Sequence, residues 1–369
     1  YWRDGLGPGV PQGGNTSTTV GGVATKVFTL STTATDTHQF ECDDDGTFGA
    51  GINDVSAVVT TIPGALHHFA VVVATPQTTG VGFTSGSVTA EDQYNNAVTT
   101  FNAATNNVTI TASNGGAMAN NVLNVAGSFS AGVADLTDVD GGGGGPATRY
   151  DGVAATVTFT ATSTSPSVSG TSGNVVVNAS GVINTITVTD PVVATNVSAD
   201  VAQYTVSVDV EDSNGNPVAD GTTVYWRDGL GPGVPQGGNT STTVGGVATK
   251  VFTLSTVSTT QHQFECDSVG PPGWGGIEGL SAVVTTIPGS LDNFAVVVGD
   301  PQETGGGFTS GSVTARDQFN NTVDTFDASV DPVTITASNG GAMANNVLNV
   351  AGSFTAGVAD LTDIDGGGG

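Results

Sequence analysis

The chain has 369 residues, 33 Asp plus Glu against 6 Lys plus Arg, and a formal net charge of −27. Phosphate binding needs clustered cations, so this balance argues against nucleic acid as a partner; it favours solubility, repulsion between neighbours and attraction of divalent cations, Ca²⁺ among them. No run approaches the roughly 18 apolar residues that a membrane span requires, and residues 1–30 have no basic start followed by an apolar stretch, so neither a membrane span nor a signal peptide is read from the sequence.

Taken in chain order, the apolar runs are short, β-branched and separated by turn residues, and the 55 Gly and 15 Pro would interrupt any helix. Residues 1–63 offer YWRD, GVATKVFTL and HQFEC. Residues 64–181 offer LHHFAVVVAT, GFTSGSVTAED, VTITAS, SFSAGVADLT, GVAATVTFTAT and GNVVVNAS. Residues 182–288 begin with INTITVTD and QYTVSVDVED, where Tyr204, Val206, Val208 and Val210 alternate with Thr205, Ser207 and Asp209, the period of a strand with one wet face. Asn214-Gly215, Asp220-Gly221 and Asp228-Gly229 follow as turn signals. GTTVYW, GVATKVFTL, HQFEC and LSAVVTTI complete about seven strands, the spacing of a β-sandwich.

Self-comparison explains why these runs recur. Residues 1–32 reappear unchanged at 225–256, an offset of 224 that becomes 225 after one inserted residue in the loop where CDDDGTFGAG is replaced by CDSVGPPGWGG. A period of about 225 residues is too long for a solenoid unit and suits two sandwich domains. The fold expected is therefore all-β, with tandem sandwich domains joined head to tail: the C-terminal part of a type A domain at 1–63, a complete type B domain at 64–181, a complete type A domain at 182–288, and the N-terminal part of a type B domain at 289–369. Both ends fall inside a domain, as expected of a window cut from a longer repetitive protein or of subunits completed by strand exchange. The A-to-B joints, TTIPG at 60–64 and TTIPGS at 285–290, are too short for a floppy linker and predict a stiff array.

VDVEDSNGNPVADGTTVYW at 208–226, followed by TSTTVGGVATKVFTL, resembles the bacterial immunoglobulin-like domains of invasin- and intimin-type adhesins and of large repetitive surface proteins. GFTSGSVTAEDQYNNAVTTF at 82–101 is similar to a related module, with Asn95-Asn96 where many have Gly-Asn. The resemblance covers nearly the whole chain and implies immunoglobulin-like folding at a cell surface or in an extracellular fibre. Its motifs are turn and core signals, which speak for fold more than for function.

Groups that could carry chemistry are few, and the repeat acts as an internal control on them. His67-His68 becomes Asp292-Asn293 and Glu91 becomes Arg316, while His38 and His262 match but have no nucleophile motif beside them, so an enzyme is not expected. Each type A segment carries a single cysteine, Cys42 or Cys266, for which two readings stand: a small core residue on the inward face with Phe40 or Phe264, or an intermolecular disulfide between neighbouring fibres. DLTDVDGGGGG, with Asp135, Asp138 and Asp140, recurs as DLTDIDGGGG, with Asp360, Asp363 and Asp365. These carboxylates are either a solvated acidic turn or a Ca²⁺ site, since Ca²⁺ takes six to eight oxygens and glycines free backbone carbonyls to join them. CDDDG at 42–46 is a weaker candidate, because its copy reads CDSVG. Sequons at Asn15, Asn107, Asn178, Asn196, Asn239 and Asn320 offer glycosylation positions, although a chain so rich in Asn, Ser and Thr supplies several by chance.

The leading functional expectation is a structural repeat region of an extracellular filament, sheath or surface layer, with copies of itself as partners. The alternative is the stalk or binding region of a giant adhesin that recognises a surface glycan or protein, for which Trp2, Trp226 and Trp274 are the exposed aromatic candidates. A third is an accessory region of a secreted polysaccharide-degrading enzyme.

Overall fold

The structure is a computed structural model that describes residues 1–364 and residue 366. Among these residues the regular elements are strands, apart from one 3₁₀ turn at Ala126–Ser128. The chain forms two compact units, Tyr1–Ser180 and Gly181–Gly369.

In the second unit, Thr185–Asp190, Gln203–Glu211, Val247–Thr253 and Val234–Pro235 lie side by side in that order in one sheet. The facing sheet runs Thr240–Thr242, Thr223–Asp228, Phe264–Asp267, Glu278–Leu280. Thr195–Ser198 pairs in parallel with Val284–Ile287. In chain order the four strands of the first sheet are the first, third, seventh and fifth of the segment, and two facing sheets of mainly antiparallel strands connected in this interleaved way form an immunoglobulin-like sandwich. The alternation in Gln203–Glu211 produces it locally: Val206, Val208 and Val210 are wholly buried, whereas Thr205 and Asp209 are exposed. The three valines pack with Phe252 of the same sheet and with Trp226, Phe264 and Cys266 of the facing sheet. The Phe252 and Phe264 rings lie 4.4 Å apart at the centre.

Residues 64–180 of the first unit repeat this order in different side chains. Val133–Asp135, Gly86–Glu91 and His68–Val73 form one sheet, and Val122–Leu123, Val108–Ala112, Phe159–Ser163 and Ser169–Thr171 form the other. Gln77–Thr78 pairs in parallel with Val175–Asn178. Phe69, Phe101 and Phe129 form the aromatic centre, with Phe101 and Phe129 4.7 Å apart.

The buried hydrophobic clusters lie within 69–177, 186–284 and 313–361. Residues 1–63 contribute to none of these, because the sequence holds no counterpart there of Thr185–Asp190 and Gln203–Glu211. Accordingly Val59 is 42% exposed where its counterpart Val284 is 0%. Residues 289–364 likewise lack a counterpart of Phe159–Ser163, and Ile335 is half-buried where Ile110 is fully buried.

Candidate functional site: the A-to-B joint

In each unit the segment after a central strand turns through an Asp and an Asn four residues apart. Asp92 closes the turn after Gly86–Glu91: its Oδ1 accepts the Tyr94 and Asn96 amides at 2.8 and 3.0 Å. Asn95 between them has φ 64°, a left-handed conformation that Asn tolerates better than most residues. The other carboxylate oxygen of Asp92 accepts the Gly64 amide from the joint at 2.8 Å. The Asn96 side chain then reaches into residues 1–63. Its Nδ2 donates to the Thr32 carbonyl at 2.8 Å, and its Oδ1 accepts the Ala34 amide at 2.9 Å.

The second unit builds the same clamp. Asp317 accepts the Phe319, Asn321 and Gly289 amides at 2.9, 2.8 and 2.8 Å. Asn321 donates to the Thr256 carbonyl at 2.7 Å and accepts the Ser258 amide at 2.8 Å. Asp200 adds a further tie, accepting the Ser290 amide at 2.6 Å and the Gln318 side chain at 3.1 Å. The Asn96 side chain, with the backbone donors behind it, holds the Asp92 carboxyl well below the usual carboxylate range. At Asp317 burial pushes the carboxyl up, but donation from Asn321, Gly289 and Phe319 outweighs it and the net shift is downward. Each joint thus meets a charged carboxylate acceptor and a side-chain amide that both donates and accepts. Asp212 and Asn216 form the same local turn, with the Asn214 and Asn216 amides donating to Asp212 at 2.8 and 3.0 Å.

The matched histidines each pair with a buried carboxylate. His262 Nδ1 lies 2.6 Å from Asp228 Oδ2, and both side chains are at most 1% exposed. Asp228 also accepts the Gly231, Gly233 and Gln263 amides at 3.0, 2.8 and 3.1 Å, tying the RDGLGPG loop to the HQFEC strand. His38 and Asp4 repeat the pair in the first unit.

The sequence-predicted residues fall in different settings. Asp135 Oδ1 accepts from the amide and hydroxyl of Thr137, both at 2.8 Å, and Asp360 does the same with Thr362 at 2.8 Å. Asp138 is filled by the Gly143 and Gly145 amides at 2.6 and 3.0 Å, and Asp140 is exposed. Asp363 is half-buried, and Asp365 lies outside the described residues. Among the described residues, the groups of three carboxylates whose oxygens lie within 4.8 Å of one another are Asp43, Asp44, Asp45 and Glu265, Asp267, Glu278. Cys266 is wholly buried in the core and Cys42 is half-buried; both are free thiols. Burial, with the charge of Asp267 behind it, pushes the Cys266 thiol well above its ordinary range. Asn15, Asn107, Asn178, Asn196 and Asn320 are exposed, and Asn239 is half-buried.

One expectation needs correction. Trp226 is not an exposed aromatic: it is 1% exposed and donates from Nε1 to Ser241 Oγ at 2.8 Å. The strand Thr223–Asp228 turns it inward, because Val224 and Trp226 share the face that packs on Phe252. Trp2 is half-buried, and half-buried Trp274 lies under the Arg227 guanidinium, 4.5 Å from the ring centroid. The joint residues Asp92, Asn96, Asp317 and Asn321 carried no functional reading in the sequence, although their D-x-x-x-N spacing recurs at Asp212 and Asn216 and was the available signal.

No family model and no curated protein matches the sequence. Two solved structures are similar in shape. One is the D00-D0 domain of intimin, at 15% identity, covering 59% of this chain and 99% of that one, with a TM-score of 0.26. The other is Drosophila N-cadherin EC1-4, at 10% identity, covering 98% of this chain and 84% of that one, with a TM-score of 0.25. The immunoglobulin-like assignment itself rests on the strand order above. No helix among the described residues is long and apolar enough to cross a membrane.

Proposed function

We propose that this chain is a structural repeat region of an extracellular filament, sheath or surface layer, in which each A–B pair acts as one stiff segment. The recurring joint supports this reading: Asn96 and Asn321 each bridge to the preceding domain by two hydrogen bonds, while Asp92 and Asp317 hold the joint glycine. A linker meant to flex would leave these backbone groups to water. Near-identical copies present near-identical surfaces, which lets parallel chains dock in register. The strong negative charge requires that lateral packing be screened by salt or bridged by cations.

Electron microscopy of the purified chain across salt and Ca²⁺ concentrations, together with mass spectrometry of native filaments, tests the proposal. Ordered assemblies or recovery of this sequence from filaments is the expected result. A dispersed monomer under every condition, with no native filament containing the sequence, overturns it, and selective binding on a glycan array would favour an adhesin stalk instead.

A further inference from the structure

The loop from Asp43 to Asn53, between Phe40–Asp43 and Asn53–Val55, is the place where the two type A copies diverge most. One carboxylate oxygen from each of Asp43, Asp44 and Asp45 lies within 4.8 Å of the other two. Asp44 and Asp45 are exposed, but Asp43 is only 2% exposed. Its Oδ1 accepts the Asp45 and Gly46 amides at 2.8 and 2.5 Å, whereas its Oδ2 is buried with no hydrogen-bond partner. A carboxylate oxygen withdrawn from water and given no donor is costly, and the usual remedies are a hydrogen bond, a cation or a proton. Arg3 on the adjoining strand pairs with Glu41 and covers the Phe48 ring at 4.3 Å, and the Tyr1 amine donates to the Asp43 carbonyl rather than to a carboxylate.

The second copy shows how the fold satisfies the same position without a cation. Asp267, the counterpart of Asp43, accepts the Val269 amide on Oδ1 at 2.6 Å and the Gly275 and Gly276 amides on Oδ2 at 2.9 and 3.2 Å. There the two following acids are replaced by Ser268 and Val269, and the lengthened loop supplies the two glycine amides. One copy therefore has N–H donors on both oxygens of the buried carboxylate, which there lies among the oxygens of Glu265 and Glu278. The other has two extra carboxylates and no donor on the buried oxygen.

We infer that Asp43, Asp44 and Asp45 form a divalent-cation site, with Ca²⁺ the ion of choice, in which the cation takes the place that Gly275 and Gly276 fill in the second copy. Hard carboxylate oxygens in an irregular, glycine-containing loop suit the flexible, high coordination of Ca²⁺ better than the strict octahedron of Mg²⁺, and water and backbone carbonyls complete the shell. The site is distinct from the Asp135–Asp140 and Asp360–Asp365 loops and does not depend on the fibre reading.

The test is titration of the whole chain with CaCl₂ by calorimetry at physiological salt. A parallel Tb³⁺ luminescence titration excites Tyr1, whose ring packs over Gly46 in this loop. The parent should bind with a Kd in the range of extracellular modules, about 0.1–1 mM. Asp43→Asn should weaken this at least ~10-fold, as should Asp45→Asn, an exposed position at which circular dichroism should show an unchanged fold. Asp138→Asn and Asp267→Asn should leave this site unchanged. Absence of Ca²⁺ binding by the parent up to ~10 mM, or parent-like binding by a folded Asp45→Asn variant, overturns the inference.

Discussion

The side-chain amide of Asn96 donates to the Thr32 carbonyl at 2.8 Å, and Asn321 donates to the Thr256 carbonyl at 2.7 Å. Thr32 and Thr256 are the last residues of the segment that the two copies share without change. The same chain ending is thus gripped in the same way in each unit. Local turn chemistry, an Asp accepting amides two and four residues ahead, aims the Asn at its neighbour.

Removing that grip should loosen the joint without unfolding either domain. Asn321→Ala deletes two bonds to the preceding domain and leaves the Thr256 carbonyl and the Ser258 amide to water or to each other. The loss is about 1–3 kcal/mol of coupling. Small-angle scattering and limited proteolysis near 285–290 should show a more variable joint and faster cleavage; unchanged profiles would remove the Asn from the clamp.

The joint should also be acid-sensitive. The folded-state carboxyls of Asp92 and Asp317 lie below their ordinary value, so they contribute stability that is fully present above the unfolded pKa of about 3.9. That contribution is lost as the pH falls through the lower folded value. Stability measured by urea denaturation should therefore hold from neutral pH to about pH 4 and decline below it, and Asp317→Asn should flatten part of that decline.

Asp228 serves His262 and the amides of Gly231, Gly233 and Gln263. Asp228→Ala strands these donors in a buried site and should cost about 3–5 kcal/mol. Denaturation followed by the fluorescence of buried Trp226 reports it. A change under about 1 kcal/mol would mean that the loop is held by other contacts.

The cysteines should differ in reactivity despite their matching sequence. Cys266 is wholly buried with its thiol held protonated, whereas Cys42 is half-buried. Alkylation of the native chain, located by mass spectrometry, should modify Cys42 at least about tenfold faster. Equal rates, or a disulfide-linked dimer through Cys266, would contradict the core placement.

Residues 1–32 and 225–256 separate what sequence dictates from what the tertiary structure decides. Turns and alternation were legible in the chain, because glycine punctuation and a period of two act locally, whereas the inward face of Trp226 was not. The all-β sandwich class followed from turns and alternation, and the immunoglobulin-like expectation came from the resemblance of the 208–226 and 82–101 motifs to bacterial immunoglobulin-like domains. The D-x-x-x-N turn is local in the same sense, and the hydrogen bonds that Asp92 and Asp317 accept from amides two and four residues ahead follow from spacing.

Other features could not. Val247–Thr253 is a seven-residue strand paired with Gln203–Glu211 and Val234–Pro235, while in the identical segment at 23–29 the strand is confined to Phe28–Thr29. A strand is completed by hydrogen bonds to a neighbour and by a face to cover, and neither is encoded in its own residues. For the same reason Trp226 is buried where Trp2 is only half-buried. The reach of Asn96 to Thr32, and the bare oxygen of Asp43 beside the filled Asp267, depend on where other backbone groups arrive in space. Only the folded chain places them.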